Sequence, residues 1–141
     1  MASPPTETSP RSLDELQSAG LGGLLASIEE GLPAILVGEL EERLDLTPEE
    51  MASFLGISPR TLERRRQNGT LTAAESERLY RIARLFRKAI DVFESEEEAR
   101  SWLKRSQMRL GEQVPLESAR LEPGARETER LLGRIEHGIP A

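Results

Sequence analysis

Residues 46–69 read LTPEEMASFLGISPRTLERRRQNG, and their punctuation decides the fold. Thr47 stands before Pro48 and three residues ahead of Glu50, which is the pattern of a helix start. The threonine oxygen can accept from the first turn, the proline sits where a missing N–H costs nothing, and the glutamate reaches back to close a capping box. Met51, Ala52 and Leu55 then share one face of a short helix. Gly56 permits the left-handed turn that ends it, and Ile57-Ser58-Pro59 opens a second helix that carries Leu62. The small Ala52 lets the second helix approach closely, while Ile57 and Leu62 fill the space between the two. The stretch predicts helix, tight turn, helix over about residues 47–67.

The second of these helices holds four arginines, Arg60, Arg64, Arg65 and Arg66. Leu62 and the aliphatic stem of Arg65 face the core, which turns Arg60, Thr61, Arg64 and Arg66 outward. Arginine can bond a guanine edge or a phosphate oxygen, and Ser58 and Thr61 near the helix N-terminus suit a phosphate or a thymine methyl. In its spacing the stretch resembles the helix-turn-helix of the lambda-repressor-like, or Xre-type, regulators, whose second helix is the recognition helix. That resemblance makes Thr47, Ser58, Arg60, Thr61, Arg64, Arg65 and Arg66 the candidate DNA-binding residues. A motif of this kind meets half-sites one helical turn apart, so a homodimer is expected. Leu24, Leu25 and Ile28 are the candidates for its interface.

Charge supports a polyanion partner. The chain carries a net −6, yet residues 1–57 sum to −9, 58–90 to +6 and 91–141 to −3. The positive charge is one block, and such a block binds phosphates through counterion release. Composition removes other functions. There are no cysteines and a single histidine, His137. That leaves no disulfide, no thiolate zinc site, no cysteine nucleophile and no imidazole pair, and no glycine-rich phosphate loop is present. Neither an enzyme nor a cofactor, metal or small-molecule substrate is expected. No apolar run approaches the roughly 18 residues that span a bilayer, and the N-terminus MASPPTETSPRS lacks the form of a signal peptide. A cytoplasmic protein without a membrane partner is the expectation.

Outward from the motif, helical period dominates. Residues 1–12 are rich in Pro, Ser and Thr and read as a disordered tail. Residues 13–93 read as a helical N-terminal region and 94–141 as a second domain. Apolar residues recur at Leu13 and Leu16, at Leu24, Leu25 and Ile28, and at Leu36, Val37, Leu40 and Leu44. Pro33 is expected at the first position of the helix that ends near Leu44. A long helix over about residues 72–93 turns Leu79, Ile82, Phe86, Ile90 and Phe93 inward and Arg78, Arg81, Arg84 and Lys88 away. Those four cations read as a solvated face, with pairs such as Glu77 and Arg81 adding a few tenths of a kcal/mol. Ser95 caps the next helix. No alternating strand pattern appears, so the fold class is all-α: a lambda-repressor-like bundle with a small helical C-terminal domain.

The order of elements after residue 94 resembles a known family. Ala99-x-x-Trp102-Leu103, Leu110-Gly111, Val114-Pro115-Leu116, Pro123-Gly124-Ala125 and Leu131-Leu132-x-x-Ile135-x-His137-Gly138-Ile139 are similar to the toxin-binding domain of the Xre/MbcA/ParS antitoxins. The resemblance runs from Leu36 to Ala141. Glu112 departs from it, standing where a second glycine is common, and so does Glu122-Pro123-Gly124. Without it, Trp102, Leu103, Leu110, Leu116, Leu131, Leu132 and Ile135 read as a helical core.

The resemblance implies a type II antitoxin whose partner is a RES-domain toxin that degrades NAD or uses it as an ADP-ribose donor. It also implies a repressor of its own operon. A dinucleotide site must offer positive charge to a pyrophosphate, and a terminal carboxylate can occupy such a site. Ala141 is then the candidate plug, with Arg126, Arg130, Arg134, His137, Gly138, Ile139 and Pro140 in support. His137 reads as a cap or surface residue rather than a metal ligand. The competing reading is a stand-alone helix-turn-helix repressor with a C-terminal dimerisation domain. A RES-domain gene beside this one separates the two.

Overall fold

The computed structural model describes residues 9–138. Among these the chain forms nine α-helices and no sheet: α1 (Leu13–Ser18), α2 (Leu21–Glu30), α3 (Ile35–Leu44), α4 (Pro48–Leu55), α5 (Pro59–Asn68), α6 (Ala73–Phe93), α7 (Glu96–Leu103), α8 (Pro115–Ser118) and α9 (Glu122–Glu136). The all-α expectation is met. Two compact units, Met1–Tyr80 and Arg81–Ala141, divide within α6.

In the first unit the fold begins ahead of Leu13. Pro10 is buried, and the Ser12 oxygen accepts from the Glu15 N–H at 3.1 Å to cap α1. The segment that composition assigns to the tail therefore includes residues with structural work. Leu13 and Leu16 are buried, and the Leu13 N–H donates to Glu39 of α3 at 2.9 Å. Leu36, Val37, Leu40 and Leu44 form the inner face of α3. α2 buries nothing.

Pro33 is not the first residue of α3. It forms an isolated antiparallel bridge with Thr70, flanked by Ala34 N–H to Gly69 and Leu71 N–H to Leu32, both at 2.9 Å. Its neighbours make the donations, so a residue without an N–H fits there as well as it would in a first helical turn. The bridge ties the start of α3 to the segment leaving α5.

α4 begins with both halves of the expected capping box. Glu50 N–H donates to the Thr47 oxygen at 3.1 Å and Thr47 N–H to the Glu50 carboxylate at 2.9 Å. Met51, Ala52, Phe54 and Leu55 are buried. Gly56 turns left-handed, with φ 73° and ψ 30°, and Ser58 caps α5, which buries Leu62. A second capping box opens α6, where Thr72 and Glu75 exchange backbone donations at 3.0 and 3.2 Å.

The cations of α6 are not a merely solvated face. In the first unit Arg78 donates to the Leu55 carbonyl at 3.0 Å and lies over Gly56. It therefore satisfies a carbonyl that the end of α4 leaves open. In the second unit Arg81 donates to the Ala119 and Arg120 carbonyls at 3.3 and 3.1 Å, Arg84 bonds Glu129, and Lys88 lies 3.9 Å from Glu136. These side chains join α6 to the turn after α8 and to α9.

The rest of the second unit packs around Leu103, Leu116, Ala119, Ala125, Leu131 and Leu132, all buried. Trp102 meets Phe93 with ring centroids 5.8 Å apart. Leu110 and Ile135, both expected in this core, are only partly buried. α8 is one turn long, and α9 begins so close to it that a Cβ on Gly124 would sit 1.9 Å from the Ser118 carbonyl oxygen. Only glycine permits that approach. Thr128, also buried, turns its hydroxyl back to Gly124 at 2.8 Å. Glu112 takes the left-handed φ of 65° that the absent glycine would have favoured, a conformation costing about 1–2 kcal/mol for an L-residue.

Candidate nucleic-acid interface and C-terminal basic pocket

Helix α5 is fixed from two sides. Arg65 grips Glu75 with two nitrogens, at 2.8 and 3.1 Å, and Glu75 is 4% exposed. Burial pushes the Glu75 carboxyl up, but the Arg65 hydrogen bonds, the Thr72 N–H and the nearby positive charge outweigh it and hold the group below its ordinary value. The same pair raises Arg65. Arg66 donates to both oxygens of Glu41 on α3, at 2.7 and 2.6 Å. One carboxylate comes from the helix before the motif and the other from the helix after it.

Those pairs place the expected site residues in two groups. Arg65 and Arg66 are partly buried and spend their guanidiniums on the fold. Arg60 and Arg64 are exposed. Arg60 has no hydrogen-bond or ion-pair partner among the described residues. Ser58, Thr61 and Arg64 form a row along the helix: the Ser58 hydroxyl donates to the Thr61 oxygen at 3.0 Å, and Arg64 approaches that oxygen at 3.5 Å. With its oxygen already accepting, the Thr61 hydroxyl is left to donate outward.

Thr47 lies apart from this row, at the start of α4. Its oxygen is engaged by the cap, and Glu49 and Glu50 occupy the first turn beside it. Their charge opposes a phosphate there.

At the other end of the chain, α9 presents Arg126, Arg130 and Arg134, all exposed. Arg126 pairs with Glu122 at 3.0 Å and Arg130 with Glu127 at 2.6 Å. Arg130 and Arg134 line a shallow pocket of about 310 Å³ together with Arg109, Glu127 and Leu131; Arg126 does not. Arg109 carries no sequence signal because it sits on a single 3-10 turn, Met108–Leu110, too short to show a period. His137 follows α9, its N–H donating to Gly133 at 3.1 Å, and Gly138 turns left-handed at φ 70°. The capping role expected for His137 agrees with that position. Ile139, Pro140 and Ala141 lie outside the described residues. Among the described residues no helix is long and apolar enough to cross a membrane.

Both parts of the chain match known families. Residues 23–84 match the family model of the antitoxin Xre-like helix-turn-helix domain, and residues 88–138 that of the antitoxin Xre/MbcA/ParS C-terminal toxin-binding domain. An antitoxin Xre of Photorhabdus laumondii is 35% identical over 118 residues, covering 82% of this chain and 80% of that one. One from Yersinia enterocolitica is 32% identical with the same coverage, and one from Pseudomonas putida is 31% identical over 112 residues, 79% of this chain and 69% of its own. The order of elements, the exposed row on α5 and these relatives agree, and the chain belongs to the Xre antitoxin family, with a helix-turn-helix region followed by a toxin-binding domain.

Proposed function

We propose that this chain is the antitoxin of a type II toxin–antitoxin pair, that it neutralises a RES-domain toxin by covering the toxin's NAD site with its C-terminal region, and that it represses its own operon. It is non-enzymatic and acts in the cytoplasm. The observation that carries the reading is the match of residues 88–138 to a toxin-binding domain, on a chain whose α5 separately presents Arg60, Thr61 and Arg64 to solvent. Those three, with Ser58, contact operator DNA, while Arg65 and Arg66 position the helix that bears them. Two copies bind together, joined through α2, whose Leu24, Leu25 and Ile28 are not buried within the chain.

Co-expression with the neighbouring open reading frame tests this directly, a RES-domain toxin being the expected product. The expected result is a stable complex and restored growth. Deleting residues 137–141 is expected to leave the fold and operator binding intact but to restore toxicity. Growth that persists with the truncated chain would overturn the covering role of the C-terminal residues. Absence of any complex with the intact chain, alongside operator binding, would leave a simple repressor.

A further inference from the structure

We propose that Arg109, Arg130 and Arg134 form a receptor for an acidic side chain of the toxin, with Arg109 as its anchoring residue. The proposal rests on the antitoxin reading above and deepens it by naming a contact and its chemistry.

Arg109 lies on a loop closed on itself. Gln107 and Gln113 form an antiparallel bridge, Gln107 N–H donating to Gln113 at 2.9 Å and Glu112 N–H returning to Gln107 at 3.0 Å. The Gln107 amide then donates to the Trp102 carbonyl at 2.9 Å, fastening the loop to the end of α7, whose Trp102 is buried. This fixes the backbone from which Arg109 extends. Arg130 and Arg134 reach the same pocket from successive turns of α9, and the buried Leu131 also lines it.

Three guanidiniums surround this space and one carboxylate, Glu127, is already spent on Arg130. Arg109 and Arg134 have no hydrogen-bond or ion-pair partner among the described residues. The pocket therefore carries an excess of two positive charges, and like charges held together favour whatever anion separates them. A carboxylate suits guanidinium forks because it can accept two parallel bonds. The match of this stretch to a toxin-binding domain points to a protein rather than a nucleic-acid backbone as its source. Leu131 is the one apolar residue of the lining, and Met108, next to Arg109 in sequence but outside that lining, is 79% exposed. Met and Arg together are enriched where proteins meet. The whole arrangement falls within residues 88–138, the stretch that matches a toxin-binding domain.

The test is a titration of the full chain against the purified product of the neighbouring open reading frame, with Arg109→Glu, Arg109→Met and Arg120→Glu compared with the unaltered chain. Arg120 is exposed and does not line the pocket. Arg109→Glu is expected to weaken the complex about thirtyfold or more, since a paired interfacial charge is reversed. Arg120→Glu, with the same change in net charge, should stay within about threefold. Arg109→Met keeps the apolar stem and guards against misfolding of the reversed variant; it should lose affinity and flatten the salt dependence of binding. Full affinity in both Arg109 variants would overturn the receptor while leaving the antitoxin reading intact. Loss of operator binding without loss of toxin binding would assign the pocket to phosphate and overturn it too. If the unaltered chain forms no complex, the antitoxin reading falls and the receptor with it.

Discussion

A guanidinium that already holds a carboxylate with two nitrogens has little left for a phosphate. Arg65 is in that state, and Arg64, one residue earlier, is not. The two substitutions should separate. Arg64→Ala is expected to leave the thermal midpoint nearly unchanged and to weaken operator binding by about 1–3 kcal/mol, read by fluorescence anisotropy over a range of salt. Arg65→Ala should instead cost about 2 kcal/mol of stability, because it removes the charge-assisted hydrogen bonds that hold a buried carboxylate.

Acid gives the second readout of the same pair. Glu75 is held below its ordinary value, so its stabilisation is complete above an unfolded pKa of about 4.3 and is lost as pH falls through the lower folded value. Without Arg65 the burial that pushes Glu75 up loses its main opponent. The acid limb of the stability curve is expected to move to higher pH in Arg65→Ala, as urea melts across acid pH will show. The helix period predicts that Arg60, Thr61, Arg64 and Arg66 face outward and that the stem of Arg65 turns in; Arg66 instead turns back to α3 and is held by Glu41. The period cannot predict Glu41 as the partner of Arg66, since a carboxylate 25 residues away leaves no local signal.

Elements are legible where capping chemistry marks their ends. Thr47-Pro48-Glu49-Glu50 announces α4 through side chains that bond their own backbone, and spacing alone reveals such pairs. α8 is not legible, because four residues are too few to display a helical period. Pro33 misleads because a bridge and a first helical turn exploit the same missing donor. The corner between α8 and α9 shows what a motif can hide. Gly124 appears in sequence as part of a helix entry, whereas its structural reason is contact with a carbonyl. Gly124→Ala is expected to cost about 3 kcal/mol, since the obstacle is the Ser118 backbone rather than a mobile side chain. Calorimetry and loss of toxin binding would both report it. An unshifted melting temperature would mean that the corner has room to open.

At the scale of the whole molecule, α2 carries exposed apolar side chains that the described core does not use. Leu21 is 72% exposed and Leu25 50%, and neither is needed for the monomer's core. Leu25→Glu is expected to shift the chain toward monomer in sedimentation and to reduce operator affinity at least about tenfold, because one copy then meets one half-site. Toxin binding should persist. A dimer of unchanged strength would move the interface elsewhere.

The partners of the α5 and α6 cations also bear on how the proposed repressor would divide its time in a cell. The block from Ser58 to Ile90 has nine basic residues, but Arg65, Arg66, Arg84, Arg87 and Lys88 face carboxylates and Arg78 and Arg81 hold carbonyls. Under the proposed function Arg60 and Arg64 remain for DNA. Each phosphate neutralised contributes about 0.9 to the logarithmic salt slope, so in the proposed dimer, with Arg64 on a base edge and Arg60 on phosphate, about two phosphates would give a slope of about −2, shallow for a repressor. Under the proposed function its grip on random genomic DNA would be correspondingly loose. Few molecules would then be stranded along the chromosome, and the unbound pool would stay large enough to intercept newly made toxin while the operator is kept occupied.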